Sequence, residues 1–167
     1  MNQAQRRLFL IRSLLKEKTE YVDLDIPADT DSQRQLLRGL MNIRNPRPID
    51  VDFLAVQDDY LQGELAAKGI TDIENLAPVQ PGLYLWQGDI TTLKCDAIVN
   101  AANAGLTGCY IPNHRCIDNA IHSFAGIELR LACGELMEQQ GYPEPTGQAK
   151  ITPAFNLPCK YVLHTVG

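Results

Sequence analysis

A mixed α/β fold with an N-terminal helical extension is predicted by three features of the sequence. Apolar residues recur at helical spacing through the first 80 positions, strand-like runs begin only after Pro81-Gly82, and those runs alternate with a further helical stretch. The 167 residues, 45% hydrophobic and 21% charged, have the proportions of a globular protein and suit one domain or a domain with an extension.

Leu8, Ile11, Leu14 and Leu15 place an apolar stripe on a first helix, with charges on its other face. Thr30 followed by Gln33 reads as a capping box opening a second helix through Leu36, Leu37, Leu40 and Met41. Asn45-Pro46-Arg47-Pro48 ends it, because a proline biases its predecessor away from helical angles. A third helix carries Phe53, Val56, Tyr60, Leu61 and Leu65 and stops at Gly69. Residues 1–80 show no acid–base pair and no metal spacing, so they read as a helical appendage packed on a main domain of residues 81–167. In that domain residues 83–87 and 97–101 are predicted strands, and residues 108–116 a loop without periodicity. A helical pattern runs from Ile117 through Leu136, with a break at Gly126 and an end at Gly141-Tyr142-Pro143. Residues 149–154 and 161–166 are two more strands, and Asn156-Leu157-Pro158 has the turn residues of a hairpin between them.

A net charge of -5 argues against a non-specific nucleic-acid binder, which needs a basic face to displace counterions. It leaves room for a nucleotide-like ligand, since backbone N–H groups at a helix end hold a diphosphate without net positive charge. No stretch approaches the roughly 20 apolar residues that span a bilayer, and residues 1–18 lack the apolar core and cleavage site of a signal peptide. A cytoplasmic protein with no membrane partner is therefore expected. Its five cysteines should be reduced, which favours metal binding or burial over disulfides.

Three segments carry candidate chemistry. In Gln87-Gly88-Asp89-Ile90-Thr91 the Asp89 carboxylate could accept a hydrogen bond from an amine, although a Gly-Asp pair after a strand is more often an ordinary turn. Val99-Asn100-Ala101-Ala102-Asn103 lies where open α/β sheets bind ligands, at the carboxyl end of a strand. There Asn103 is assigned to ligand contact, its amide being suited to sugar hydroxyls, and Asn100 to the backbone. In the third segment Cys109, His114 and Cys116 gather two thiols and an imidazole within eight residues. Three such ligands with an open fourth position describe a catalytic zinc site; the alternatives are two buried cysteines with a solvated histidine, or a Cys109–His114 nucleophilic dyad. Asp118 opens the following helix, where catalysis and N-capping compete as its role. Cys95, Cys133, Cys159, His122 and His164 read as structural.

Residues 85–167 resemble the macrodomain family. The matching motifs, in order, are Gly88-Asp89-Ile90-Thr91, Asp96 to Asn103, Asp118-Asn119-Ala120-Ile121-His122, and Leu157 to Gly167. The run Cys109 to Cys116 replaces the family's usual glycines and is similar to its zinc-dependent microbial branch, as is Leu40-Met41-Asn42-Ile43-Arg44 in the helical part. The resemblance implies a three-layer α/β/α sandwich and zinc-dependent hydrolysis of ADP-ribose from mono-ADP-ribosylated proteins. It implies that Asp89 holds the adenine amine with the Ile90 backbone N–H, that Asn103 contacts the distal ribose, and that Ile117 and the helix start meet the diphosphate. Asp118 takes the place of the family's catalytic aspartate. Some relatives are encoded beside a sirtuin-type ADP-ribosyltransferase acting on lipoyl carrier proteins, which makes such a carrier an expected substrate. The family continues past its His-Thr-Val-Gly strand with a Ser-Thr-Gly loop, so the sandwich is expected to be incomplete here, with an open strand edge and an uncovered apolar face. The competing functions are an ADP-ribose reader with a structural zinc, and an interaction protein with a vestigial site.

Overall fold

The computed structural model describes residues 1–21 and 24–167. Three helices form its first half: α1 (Gln3–Lys16), α2 (Thr30–Ile43) and α3 (Val51–Lys68). Each begins where a side chain accepts one of the first N–H groups, which have no partner within the helix. Asn2 accepts from the Gln5 amide while the Gln5 side chain returns to the Asn2 amide; Asp29 accepts from Ser32 and Asp50 from Asp52. The expected Thr30 capping box is thus displaced by one residue. Asp29 caps α2, and Gln33 is buried instead, accepting from Arg7 at 3.0 Å and donating to the Pro27 carbonyl at 2.7 Å. Leu10, Ile11, Leu37, Phe53 and Leu61 fill the space between these helices, and Ile127 from the second half joins them.

Two small pairings bridge the halves. β1 (Thr71–Asp72) runs parallel to β4 (Leu93–Lys94), and β2 (Pro78–Gln80) pairs antiparallel with β3 (Leu83–Tyr84), so Pro81-Gly82 is a hairpin turn. The strand expected over residues 83–87 ends at Tyr84. Beyond it Leu85 is 82% exposed with no surface to pack on, and the Trp86 ring folds over Gly88 where a side chain would otherwise sit.

The main sheet has the order β5-β7-β6, from β5 (Ala97–Ala102), β7 (Tyr161–Val166) and β6 (Ala149–Pro153). β5 and β7 are parallel, joined through α4 (Ile117–Ala125) and α5 (Ile127–Gln140), while β6 and β7 are antiparallel across the predicted hairpin. The two-residue pleat sorts the faces. Ile98, Asn100, Thr152, Val162 and His164 are buried, whereas Val99, Ile151 and Tyr161 leave the opposite face exposed. Between α4 and α5, Gly126 turns at φ 98, and the side chain of Gln57 from α3 fills the space beside it. Gln57 then accepts from the first amide of α5 at 2.9 Å, so α3 supplies the cap that glycine lacks.

Gln57→Ala leaves that buried amide without a partner and is expected to lower unfolding stability by about 1–3 kcal/mol. An unchanged urea midpoint would contradict this account of how the halves join.

Candidate active site

The chain leaves β5 through a turn that Asn103 builds. Its Oδ1 accepts from the Gly105 amide at 2.9 Å and its Nδ2 donates to the Gly108 carbonyl at 3.1 Å. Gly108 follows at φ 82, and a Cβ there would stand 2.8 Å from the His122 ring, so only glycine fits. Asn113 also takes a left-handed conformation, φ 55, which asparagine tolerates better than most residues. The loop ends at Cys116, whose Sγ caps α4 by accepting from the Asn119 amide at 3.4 Å.

This path brings Cys109, His114 and Cys116 together, with their donor atoms all within 4.8 Å of one another. Cys109 Sγ lies 3.7 Å from His114 Nδ1. Two ligands sharing one tetrahedral zinc stand about 3.5 Å apart, given Zn–S near 2.3 Å and Zn–N near 2.0 Å. The donor set and its spacing therefore fit zinc. The three side chains are exposed or half-buried, which leaves an approach for a fourth ligand. Burial pushes the Cys116 thiol up, and the neighbouring Cys109 sulfur adds to it despite the Asn119 amide. A bound divalent cation would reverse that preference.

Asp118 sits at the second position of α4 and is 5% exposed. Cys116 occupies the cap, so N-capping is not what Asp118 does. Its Oδ1 accepts from Asn100 Nδ2 at 2.8 Å, and its Oδ2 faces Asn103 Nδ2 at 3.4 Å. Burial raises the carboxyl above its ordinary range, with Asn100 and Arg130 pulling the other way.

Asn100 departs from the sequence reading. Its side chain is fully buried and reaches the site instead of serving the backbone. The register sets it opposite His164, whose Nδ1 lies 3.2 Å from Asn100 Nδ2. That nitrogen must accept, which places the ring proton on Nε2, 3.0 Å from the Thr152 hydroxyl. Burial lowers His164 to about 4. His122, with Nε2 3.6 Å from Asp118 Oδ1, has no hydrogen-bond partner on either ring nitrogen among the described residues, and burial followed by the Arg130 charge holds it well below the usual histidine range. His164 forms a second group with His122 and Cys133, all three buried behind the carboxylate. The pleat carried the available signal, since Asn100 shares a face with Ile98.

Asp89 behaves as the turn residue its local sequence suggests. It caps a single 3₁₀ turn, Ile90–Thr92, accepting from the Thr91 amide and hydroxyl at 3.0 and 2.6 Å and from Lys68 Nζ at 3.1 Å. Burial alone would raise it, but Thr91 and Lys68 outweigh that and hold its carboxyl low. Ile117, the first residue of α4, is 36% exposed. A cleft of about 480 Å³ between α2, α3 and α4 has Arg34, Arg38, Lys68 and Arg115 against Glu64 on its lining, a positive surface in an acidic chain.

Residues 99–167 match the family model described as Macro domain. A Trypanosoma brucei macrodomain solved in complex with ADP-ribose is similar to this structure with a TM-score of 0.51 and 28% identity, over 77% of this chain and 58% of that one. The chain has the macrodomain fold. Two curated relatives carry the description protein-ADP-ribose hydrolase. That of Treponema medium is 57% identical over 171 residues, covering all of this chain and 66% of its own length. That of Staphylococcus aureus is 46% identical over 160 residues, covering 95% of this chain and 60% of its own length. The chain thus spans less than two thirds of either relative.

The two buried histidines make the protein's stability depend on pH. Their folded pKa values lie below the ordinary 6.5, so the unfolded chain takes up protons first. Stability is expected to fall as pH drops below about 6.5, by about 1.4 kcal/mol per pH unit for each histidine. Asp118, raised above 3.8, acts in the opposite direction at lower pH. His164→Gln should remove about one proton from the slope. A urea midpoint that stays constant between pH 6.5 and 4.5 would show that these rings are not buried in neutral form.

Proposed function

We propose that this protein removes ADP-ribose from mono-ADP-ribosylated proteins and that it does so with zinc as cofactor. One observation carries the reading: the Cys109, His114 and Cys116 donors and the buried Asp118 carboxylate meet at the start of the same helix. The descriptions of the two relatives and the ADP-ribose in the Trypanosoma brucei complex support the substrate class.

Cys109, His114 and Cys116 would hold the ion. Bound there, zinc supplies positive charge beside the distal ribose, as a Lewis acid or as a template that orients the sugar. Asp118 positions a water against the anomeric carbon and takes its proton as the new C–O bond forms and the bond to the protein acceptor breaks. Its burial strengthens it as a base, and the Asn100 amide fixes one of its oxygens, leaving the other toward Asn103 and the loop. Asn103, whose amide already bonds Gly105, Gly108 and Asp118, meets the distal ribose through the remaining lone pair of its Oδ1, and the N–H groups of the first turn of α4, from Ile117, meet the diphosphate. Asp89 and the Ile90 N–H receive the adenine, with Asp89 exchanging its Lys68 contact for the amine.

In the full-length protein, Asp118→Ala should keep ADP-ribose affinity, measured by calorimetry, and slow release of ADP-ribose from a modified protein by about 10²–10⁴-fold. Cys116→Ala should lose both zinc, by elemental analysis, and turnover. A wild-type protein that binds ADP-ribose, carries zinc and releases nothing from modified proteins would be a reader and not a hydrolase.

A further inference from the structure

The helical half reaches the metal loop through a set of contacts that its sequence did not announce. Arg38 on α2 donates to the His114 carbonyl at 3.1 Å and, through Nε and Nη2, to Asn119 Oδ1 at 3.1 and 2.8 Å. Asn119, held in that orientation, donates through its own Nδ2 to the Ile111 carbonyl at 3.0 Å. One turn further along α2, Asn42 accepts from the Asn113 amide at 3.0 Å and donates to the Ser123 hydroxyl of α4 at 2.9 Å. Between these two side chains, Gly39 brings the α2 backbone against the loop, where a Cβ would lie 3.4 Å from Asn113 Nδ2 and 3.6 Å from Pro112 Cβ. Behind the loop, Arg130 on α5 binds carbonyls at the end of α2, that of Met41 at 3.2 Å and that of Asn42, and that of the following Arg44 at 2.9 Å, and donates to the Cys109 carbonyl at 3.3 Å.

We infer that α2 is one wall of the metal centre and that Arg38 and Asn42 are positioning residues for its ligands. The inference rests on the zinc reading given above and concerns what makes that site bind. Residues 109–116 have irregular backbone, and their amides and carbonyls need partners wherever water is excluded. Arg38 and Asn42 supply partners at positions 113 and 114, in the half of the loop that carries His114 and leads directly to Cys116. A loop held in ligand geometry before the ion arrives does not have to be ordered by the ion, so affinity rises without any additional ligand. Arg38 suits the task because its planar fork serves a carbonyl and an amide oxygen in one fixed geometry, whereas lysine offers freely rotating donors on a flexible stem.

The test measures zinc affinity by competition with a chromophoric chelator in the full-length protein, together with hydrogen exchange of amides 109–116 in the metal-free form. Arg38→Met retains the aliphatic stem, and Asn42→Ala is the second variant should the first fail to fold. Arg34→Ala, exposed one turn earlier on α2 and bonded to Glu64, is the control. Zinc affinity should fall about 10–100-fold in Arg38→Met and Asn42→Ala, the range seen when residues that orient metal ligands are removed, and stay unchanged in Arg34→Ala. Arg38→Lys should recover only part of the loss. Loop amides should exchange faster in the first two variants even without metal. Wild-type affinity and wild-type exchange in a folded Arg38→Met or Asn42→Ala protein would overturn the inference while leaving the zinc reading intact. If the unaltered protein binds no zinc, the zinc reading fails and the inference about its ligands fails with it; the exchange data then show only whether α2 holds the loop.

Discussion

Irregular backbone persists in a folded protein only where its amides and carbonyls find partners, and the segment from Asn103 to Cys116 finds them on several sides. Asn103 closes the entry turn, Arg130 holds the Cys109 carbonyl, Asn119 holds that of Ile111, Arg38 that of His114, and Asn42 the Asn113 amide. The juxtaposition of two sulfurs and an imidazole is the outcome of that framing. The Cys109–His114 separation of 3.7 Å is a weak contact beside the bonds that hold the loop backbone.

Two residues past that segment, a carboxylate sits in an unfavourable place. Asp118 is out of water, with one good hydrogen bond from Asn100 and a longer one from Asn103. His122 beside it has two unpartnered ring nitrogens, and Asn100 Oδ1 has no partner among the described residues either. Arrangements of this kind cost stability and persist where a reaction needs a poised base. The sheet carries the cost: Ile98 and Val162 pack the core on the same face that presents Asn100 and His164, so their neighbours fix the polar pair in place.

Much of this was legible from local signals. Helical spacing marked α1, α2 and α3, Gly126 and Gly141 marked the breaks, β7 fell on its predicted bounds, and the grouping of Cys109, His114 and Cys116 follows from an eight-residue span. What stayed hidden depends on partners remote in the chain. Asn100 meets Asp118 and His164, 18 and 64 positions away, and Arg38 meets Asn119, 81 positions away. Nothing in a window around Arg38 distinguishes it from Arg34, which faces solvent and pairs with Glu64. Local capping rules missed by one step at α2, where Asp29 caps in place of Thr30, and at α4 Cys116 takes the cap that had competed with catalysis as the role of Asp118.

The proposed chemistry requires a zinc ion on the loop donors, and X-ray absorption at the zinc edge of purified full-length protein asks that directly. The expected spectrum has one zinc per chain with two sulfur neighbours near 2.3 Å and at least one nitrogen near 2.0 Å. Zinc surrounded by oxygen and nitrogen alone, or a protein without the metal after purification in its presence, would contradict it.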